Sequence, residues 1–248
     1  MARALSSVAT PAANEEFETT SVWDPRSECR FVAARPADEP ELWSAYLAGA
    51  LESYAQHDVL RALEYNRIRD GSSTALFFVA IAPDGSVDGG LRAQGPYDRA
   101  DQAHATEEWS GQPGERAVSA MIADRLPFGV VEMKAAWVRE GASKRRALTQ
   151  SLAHVGVRAL ELLDVQFLMA SAADHVLKLW ASSGGAVATA IPPTPYPDDR
   201  YETRIMWWDR DSVDCRTAAQ QFARLCSVQN GSPVVPARRA GGNRDATA

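Results

Sequence analysis

The stretch that most restricts how this chain can fold runs over residues 129–171. An apolar run, GVVEMKAAWV, leads into the polar turn REGAS, then the segment KRRALTQSLAHVGVRALELL, then a second apolar run, VQFLMAS. Leu148, Leu152, Val155, Ala159 and Leu163 recur at three- and four-residue spacing through the middle segment, the stripe of one long helix with a single buried face. Strand, helix and strand in that order predict a crossover unit with parallel strands. Such strands are buried on both faces, so the rest of the chain must supply covering layers.

The remaining periodicities supply them. CRFVAA, at 29–34, predicts a short strand, and Pro36 and Pro40 mark the turn before a helix carrying Leu42, Trp43, Tyr46, Leu47, Ala50, Leu51 and Tyr54. A second short helix is expected over 58–65. TALFFVAIA and SVDGGLRA flank Pro83-Asp84-Gly85, the chemistry of a hairpin. Residues 115–126 predict a helix with Ala117, Val118, Met121 and Ile122 on one face, and 174–182 another, followed by Gly184, Gly185, the loop IPPTPYPDD and a last strand ending near Trp208. A terminal helix over 212–225 is expected. Between these elements, residues 94–114 are polar and irregular, and too long for an ordinary connection; such excursions usually carry function or are disordered. The whole reads as an α/β layer with antiparallel and parallel pairings in one sheet.

Composition limits the classes of function. The chain has 248 residues and a net charge of −6, which argues against a general nucleic-acid binder and makes any local basic cluster informative. Cys29, Cys215 and Cys226 are odd in number and far apart, so no disulfide framework is expected. His57, His104, His154 and His175 show no ligand spacing, and no metal site is expected. No apolar run approaches the roughly 18 residues of a membrane span, and the expectation is a cytoplasmic protein. Residues 1–27, rich in Ala, Ser, Thr and Glu, read as a disordered arm, 28–226 as one domain, and 227–248 as a disordered tail.

Three places carry chemistry. Arg139, Lys144, Arg145 and Arg146 cluster where the long helix begins. A helix N-terminus favours acids by about 0.3–1 kcal/mol each, so a cationic start is electrostatically odd without an anion. Free N–H groups, Gly141 and Ala142 for close approach, Ser143 as N-cap and the cations would cradle a phosphate or pyrophosphate. The competing reading is a solvated basic turn. Glu132 lies within an apolar strand, where alternation puts Glu132, Lys134 and Ala136 on one face and Val131, Met133, Ala135 and Trp137 on the other. Burial would suit Glu132 to general-base work; alternatively it pairs with Lys134 or Arg92. Arg92, in GGLRAQGPY, would hold a carboxylate or phosphate, or pair with Glu132. Gly89 and Gly90 before it mark a bulge or the close approach of a ligand.

The element order and this strand, basic turn and helix resemble the GNAT-type N-acyltransferases, over residues 29–208. WVREGASKRRAL matches the loop that holds the coenzyme A pyrophosphate in that family, and HVLKLWASSGG its helix before a glycine. GGLRAQGPY followed by a strand with Glu132 is similar to the branch of autoinducer synthases and N-acyl amino acid synthases. The resemblance implies a mixed sheet with antiparallel N-terminal strands, a parallel core and flanking helices. It also implies transfer of an acyl group from a coenzyme A or acyl-carrier-protein thioester to a small-molecule amine. In that scheme Glu132 is the base. Val138, Arg139, Gly141, Ala142, Ser143, Lys144 and Arg145 hold the donor, and Arg92, Tyr97 and Trp180 shape the substrate pocket. The sequence departs from the family where Ser143 and Arg145 stand for loop glycines, and where Trp180 replaces the tyrosine acid. Those departures point to a competing class, a binding module that keeps the fold without turnover.

Overall fold

The computed structural model describes residues 18–212. The expected terminal helix and the tail at 227–248 lie outside the described residues, as does the arm up to residue 17. The end of that arm is corrected: β1 (Thr20–Asp24) pairs with β2 (Cys29–Ala34) from Thr20↔Ala33 to Asp24↔Cys29. Val22 and Asp24 are buried there, and the Asp24 carboxylate accepts hydrogen bonds from the Ser27 and Ser151 hydroxyls. A segment that looked too polar for a core is thus held as a sheet edge by backbone pairing and one buried carboxylate.

The sheet continues through β3 (Thr74–Ile81), β4 (Val87–Gln94), β5 (Val130–Val138), β6 (Phe167–Ala173), β7 (Ala186–Val187) and β8 (Thr203–Asp209), in the spatial order β1-β2-β3-β4-β5-β6-β8-β7. Every neighbouring pair is antiparallel except β5 with β6. That parallel pair is the crossover unit expected from the sequence. Its connection is two helices rather than one long one: α6 (Arg145–Gly156) and α7 (Ala159–Leu162). Gly156 is buried where α6 ends, and a Cβ there would sit 3.2 Å from Leu91 and 3.3 Å from Met133, so the chain uses a bare backbone to close on the sheet.

The two faces of the sheet carry separate apolar layers. On one, Leu148 and Leu152 of α6 pack with Phe78, Leu91, Val131 and Met133. On the other, α1 (Pro40–Gln56) brings Trp43, Tyr46 and Leu47 against Phe77, Val79 and Trp137. Two short helices follow α1, α2 (Leu60–Leu63) and α3 (Tyr65–Ile68), where one was expected. A third cluster, with Tyr97, Trp109, Ile122 and Trp207, lies under α4 (His104–Glu108) and α5 (Glu115–Ala123). The excursion at 94–114 is therefore folded, and Trp109 within it is fully buried.

A bulge in β5 overturns the simple alternation. Ala135 has a φ of 50°, and the β4–β5 register shifts between Gly90 and Arg92. Lys134 pairs with Arg92 and so shares a face with Phe77, on the α1 side; Ala135 and Trp137 belong to the same α1 cluster. Two successive residues thus face one way, and Trp137 lies on the side of Glu132 rather than that of Met133. The Tyr46 hydroxyl donates to the Ala135 carbonyl at 2.8 Å, pinning the bulge to α1. Gly90 is what lets the Tyr46 ring in: a Cβ there would lie 2.8 Å from it.

Gly49 on α1 faces the Trp137 ring, and a Cβ there would come within 2.0 Å of it. In an open helix Gly→Ala gains about 1 kcal/mol, whereas forced overpacking costs about 1–3 kcal/mol. Gly49→Ala is therefore expected to destabilise the protein, against helix propensity, by up to about 2 kcal/mol in urea denaturation. Equal or greater stability would show that the ring is free to move aside.

Candidate active site

β5 and β6 pair only at Val130↔Phe167, Val131↔Leu168 and Glu132↔Met169. Beyond Glu132 the strands part, and a cavity of about 430 Å³ opens between them. Its walls are residues 133–138 of β5 and 170–173 of β6, with Arg145, Thr149 and Leu152 of α6 on one side. α8 (Leu177–Ala181) contributes Leu179 and Trp180, α1 contributes Ser53 and Tyr54, the Pro-rich loop contributes Tyr196, and Tyr201 follows that loop. Glu108 of α4 lines the buried end. Parallel strands that separate leave the β6-facing backbone groups of β5 without ladder partners, available to a ligand that inserts there.

The basic turn divides into two halves. Arg139 binds the buried Asp88 carboxylate through Nε at 2.9 Å and Nη2 at 2.5 Å, and Lys144 pairs with Glu28. Those two cations are held by carboxylates of the chain itself. Arg145 is exposed and lies on the cavity wall, and neither it nor Arg146 forms an ion pair among the described residues. Lys144, with a φ of 54°, occupies the N-cap of α6, and no side chain caps it, so Ser143 does not play the capping part expected of it. Gly141, at a φ of 79°, has open space around its Cβ position, and Ala142 is buried in the α6-side core. The first N–H groups of α6 therefore have no side-chain cap, and Arg145 in its first turn lines the cavity with Val138.

Glu132 is fully buried, and it does not line the cavity. Its Oε2 accepts from the Tyr97 hydroxyl at 2.7 Å and from the His104 backbone N–H at 2.9 Å, and its Oε1 from the Ala105 N–H at 3.2 Å. The carboxylate thus caps α4, and the Gly-Pro-Tyr turn exists to deliver Tyr97 to it. Burial and the adjoining Glu132 push the Tyr97 phenol up, so it stays a donor. Arg92 is also buried, donating to Thr74 Oγ1 at 3.2 Å and Gln94 Oε1 at 2.9 Å. It makes no ion pair with Glu132 among the described residues, and it does not line the cavity. Trp180 does line it, edge-on to Trp208 at 6.3 Å between centroids.

One residue of the segment read as an irregular excursion, Glu108, lines the cavity, and it is tied to Lys134 of β5, which lines it too. Lys134 Nζ lies 2.9 Å from Glu108 Oε1 and 2.5 Å from His104 Nδ1, and His104 Nε2 lies 3.1 Å from Glu64 Oε2. Burial alone would raise the Glu108 carboxyl, but the Lys134 ammonium and His104 outweigh it and hold it at about 2. Burial would lower Lys134, yet Glu108 and Glu132 keep it above the usual lysine value. Burial also raises Tyr54 and Tyr196. Oxygens of Glu64 and Glu107 and a nitrogen of His104 lie within 4.8 Å of one another, but Arg67 Nη1 already sits 2.6 Å from Glu64 and 2.8 Å from Glu107 and supplies the cation there. The signal in the sequence was His104 and Glu108 four residues apart, one helical turn, in a stretch with too few apolar residues to announce a helix.

No protein-family model matches the chain. Over 208 residues it is 46% identical to the uncharacterized protein Rv1356c of Mycobacterium tuberculosis strain H37Rv, covering 84% of this chain and 79% of that one. The same figures hold for the uncharacterized protein Mb1391c of Mycobacterium bovis. The chain belongs to their family. Its fold is that of the GNAT-type N-acyltransferases, as the sequence resemblance implied. The structure of FeeM, an N-acyl amino acid synthase from uncultured soil microbes, superposes with a TM-score of 0.54 at 12% identity, over 78% of this chain and 98% of that one. MesI, a CoA-dependent acyl-homoserine lactone synthase, gives 0.50 at 10% identity, over 77% of this chain and 94% of that one.

Because the Glu108 carboxyl is depressed in the folded protein, its contribution to stability is in place above about pH 4.5 and is lost as pH falls through about 2. Glu108→Gln is expected to cost about 3–5 kcal/mol at pH 7 by stranding Lys134, and to flatten the acid limb of the stability curve. Adding Lys134→Met should cost less than the two single changes summed. Urea denaturation at pH 7 and pH 3 checks both; an unchanged acid limb in Glu108→Gln would contradict the assignment.

Proposed function

We propose that the protein is an N-acyltransferase that moves an acyl group from a phosphopantetheine thioester, carried by coenzyme A or acyl carrier protein, to an amine. The observation that carries this reading is the cavity between β5 and β6, which runs from the cationic start of α6 to a buried polar cluster. An anionic head group suits one end, an extended pantetheine arm the unpaired strand edges, and a reacting carbonyl the bulged strand between them.

In this reading Arg145 and the free N–H groups at the start of α6, with the open backbone at Gly141, hold the phosphates. Val138 and its neighbours offer backbone groups to the pantetheine amides. Arg139 and Lys144 shape the loop through Asp88 and Glu28 rather than facing the ligand. The amine nitrogen attacks the thioester carbonyl, a C–N bond forms and the C–S bond breaks; a β5 backbone N–H beside the bulge stabilises the oxyanion. The nitrogen loses one proton and the departing sulfur takes one. Of the cavity walls, His57, His175 and Tyr201 carry groups able to move protons. Glu132, hydrogen-bonded to Tyr97 and to the first N–H groups of α4 and 3.8 Å from Lys134 Nζ, serves as a positioning residue that keeps α4 and Glu108 in place. The internal pairing of Arg139 and Lys144 favours a second reading, a module that binds the thioester without turnover.

Thermal melts with coenzyme A and with acetyl-, octanoyl- and palmitoyl-coenzyme A test the donor site. A ligand at about 100 times its Kd adds roughly 2.7 kcal/mol, a rise of about 5–10 °C for a domain of this size. Arg145→Glu should weaken binding about tenfold or more. The absence of any shift with all four, and with acylated carrier protein, would overturn the donor reading; a shift without amide product across an amine panel would select the module.

A further inference from the structure

Phe128 is the most exposed large apolar side chain among the described residues, at 63%, and it lies away from the cavity, in the turn that leads into β5. Its ring stands edge-on to Phe167 at 6.2 Å between centroids. Phe167 in turn stands edge-on to Trp207 at 6.2 Å, and Trp207 Nε1 donates to Met121 Sδ at 3.1 Å. Phe167, Met121 and Leu126 are half-buried against the third cluster. A row of apolar groups thus runs along the rim of that cluster and ends at the exposed Phe128 ring. Single exposed apolar residues need no explanation, but a connected row of them marks a contact surface.

The path of the chain points to what covers it. β8 ends at Asp209, the register partner of Phe167. The Arg210 N–H then donates to the Gln166 carbonyl at 2.9 Å, and the Gln166 N–H donates to the Phe128 carbonyl at 3.0 Å. Two hydrogen-bonded steps at strand spacing separate the backbones of Arg210 and Phe128, about 10 Å in all. The described residues end two positions later, at Ser212, and residues 213–248 continue from there. The stretch expected to be a terminal helix comes first among them. Cys215, Ala219, Phe222 and Cys226 recur at steps of four, three and four, with Ala218 and Leu225 beside them, while Thr217, Gln220, Gln221 and Arg224 fall on the opposite side. A helix of about a dozen residues is marginal alone in water and needs a surface for its stripe. An apolar rim without a cover and an apolar stripe without a core are thus one short connection apart.

We propose that residues 215–226 seat as an amphipathic helix on the Phe128 surface of their own chain, with Phe222 against Phe128 and Phe167. The tether favours this occupant over a second copy, because a segment joined by a short connection acts at an effective concentration in the millimolar range. Phe167 pairs with Val130 at the closed end of the β5–β6 split, so the seated helix braces the two strands where they still hold together. This inference is independent of the acyltransferase reading.

Thiol labelling of the full-length protein with N-ethylmaleimide, read by mass spectrometry, tests it, because Cys215 lies on the stripe. Cys215 is expected to react at least about tenfold more slowly than in a peptide of residues 210–230. Phe128→Asp, a change at an exposed position outside the core and the cavity, should return Cys215 to the peptide rate and lower the melting temperature by about 3–6 °C. Phe222→Asp should do the same from the other side of the contact. Reaction at the peptide rate in the unaltered protein would overturn the proposal. Protection that survives in a folded Phe128→Asp protein seats the segment elsewhere and overturns it too; if Phe128→Asp fails to fold, protection that survives Phe222→Asp does so. Protection lost on about hundredfold dilution overturns it in favour of a second copy.

Discussion

The separation of β5 from β6 governs the rest of the site. Three residue pairs hold the two strands together at their N-terminal ends. A bulge at Ala135 then turns β5 so that Lys134 and Ala135 face the same layer, and Tyr46 fixes that turn by a hydrogen bond to the bulged carbonyl. Without the bulge, strict alternation would put Ala135 and Trp137 under α6. The packing of Trp137 against α1 follows from one residue in an unusual backbone state.

The charged interior has the opposite character from the apolar layers around it. Removing Glu132, Glu108 or Lys134 from water costs several kcal/mol per ion unless each finds partners. Glu132 finds them in a tyrosine and two backbone N–H groups, so its charge is used to start a five-residue helix that has no side-chain cap of its own. Glu108 is satisfied on one oxygen only. The two carboxylates are equally buried and differ in how far their oxygens are satisfied.

Much of the fold was legible because its strands and α6 are written in plain periodicities. The hairpin, the crossover unit and the last strand each have apolar runs bounded by turn residues. The basic start of α6 was legible as a cluster, but not the division of its labour, because Asp88 and Glu28 reach it from β4 and from the β1–β2 turn, 51 and 116 residues away in sequence. The bulge was invisible: nothing about Ala135 announces a left-handed backbone, and the alternation argument therefore put Trp137 on the wrong face. α4 was missed because its stability comes from Glu132 and from tertiary burial of His104 and Glu108 rather than from a hydrophobic stripe. With it went Glu108, the α4 residue that lines the cavity.

The contact between Gly49 and Trp137 has a consequence for descent as well as for stability. The indole occupies the space that any side chain at position 49 would need, across a helix–sheet interface. Neither position is free to drift alone. A lineage that acquires a larger residue at 49 must first, or at once, accept a smaller one at 137, and 137 is also a wall of the cavity. A change in cavity size therefore has a route through position 49, which is not itself on the cavity wall.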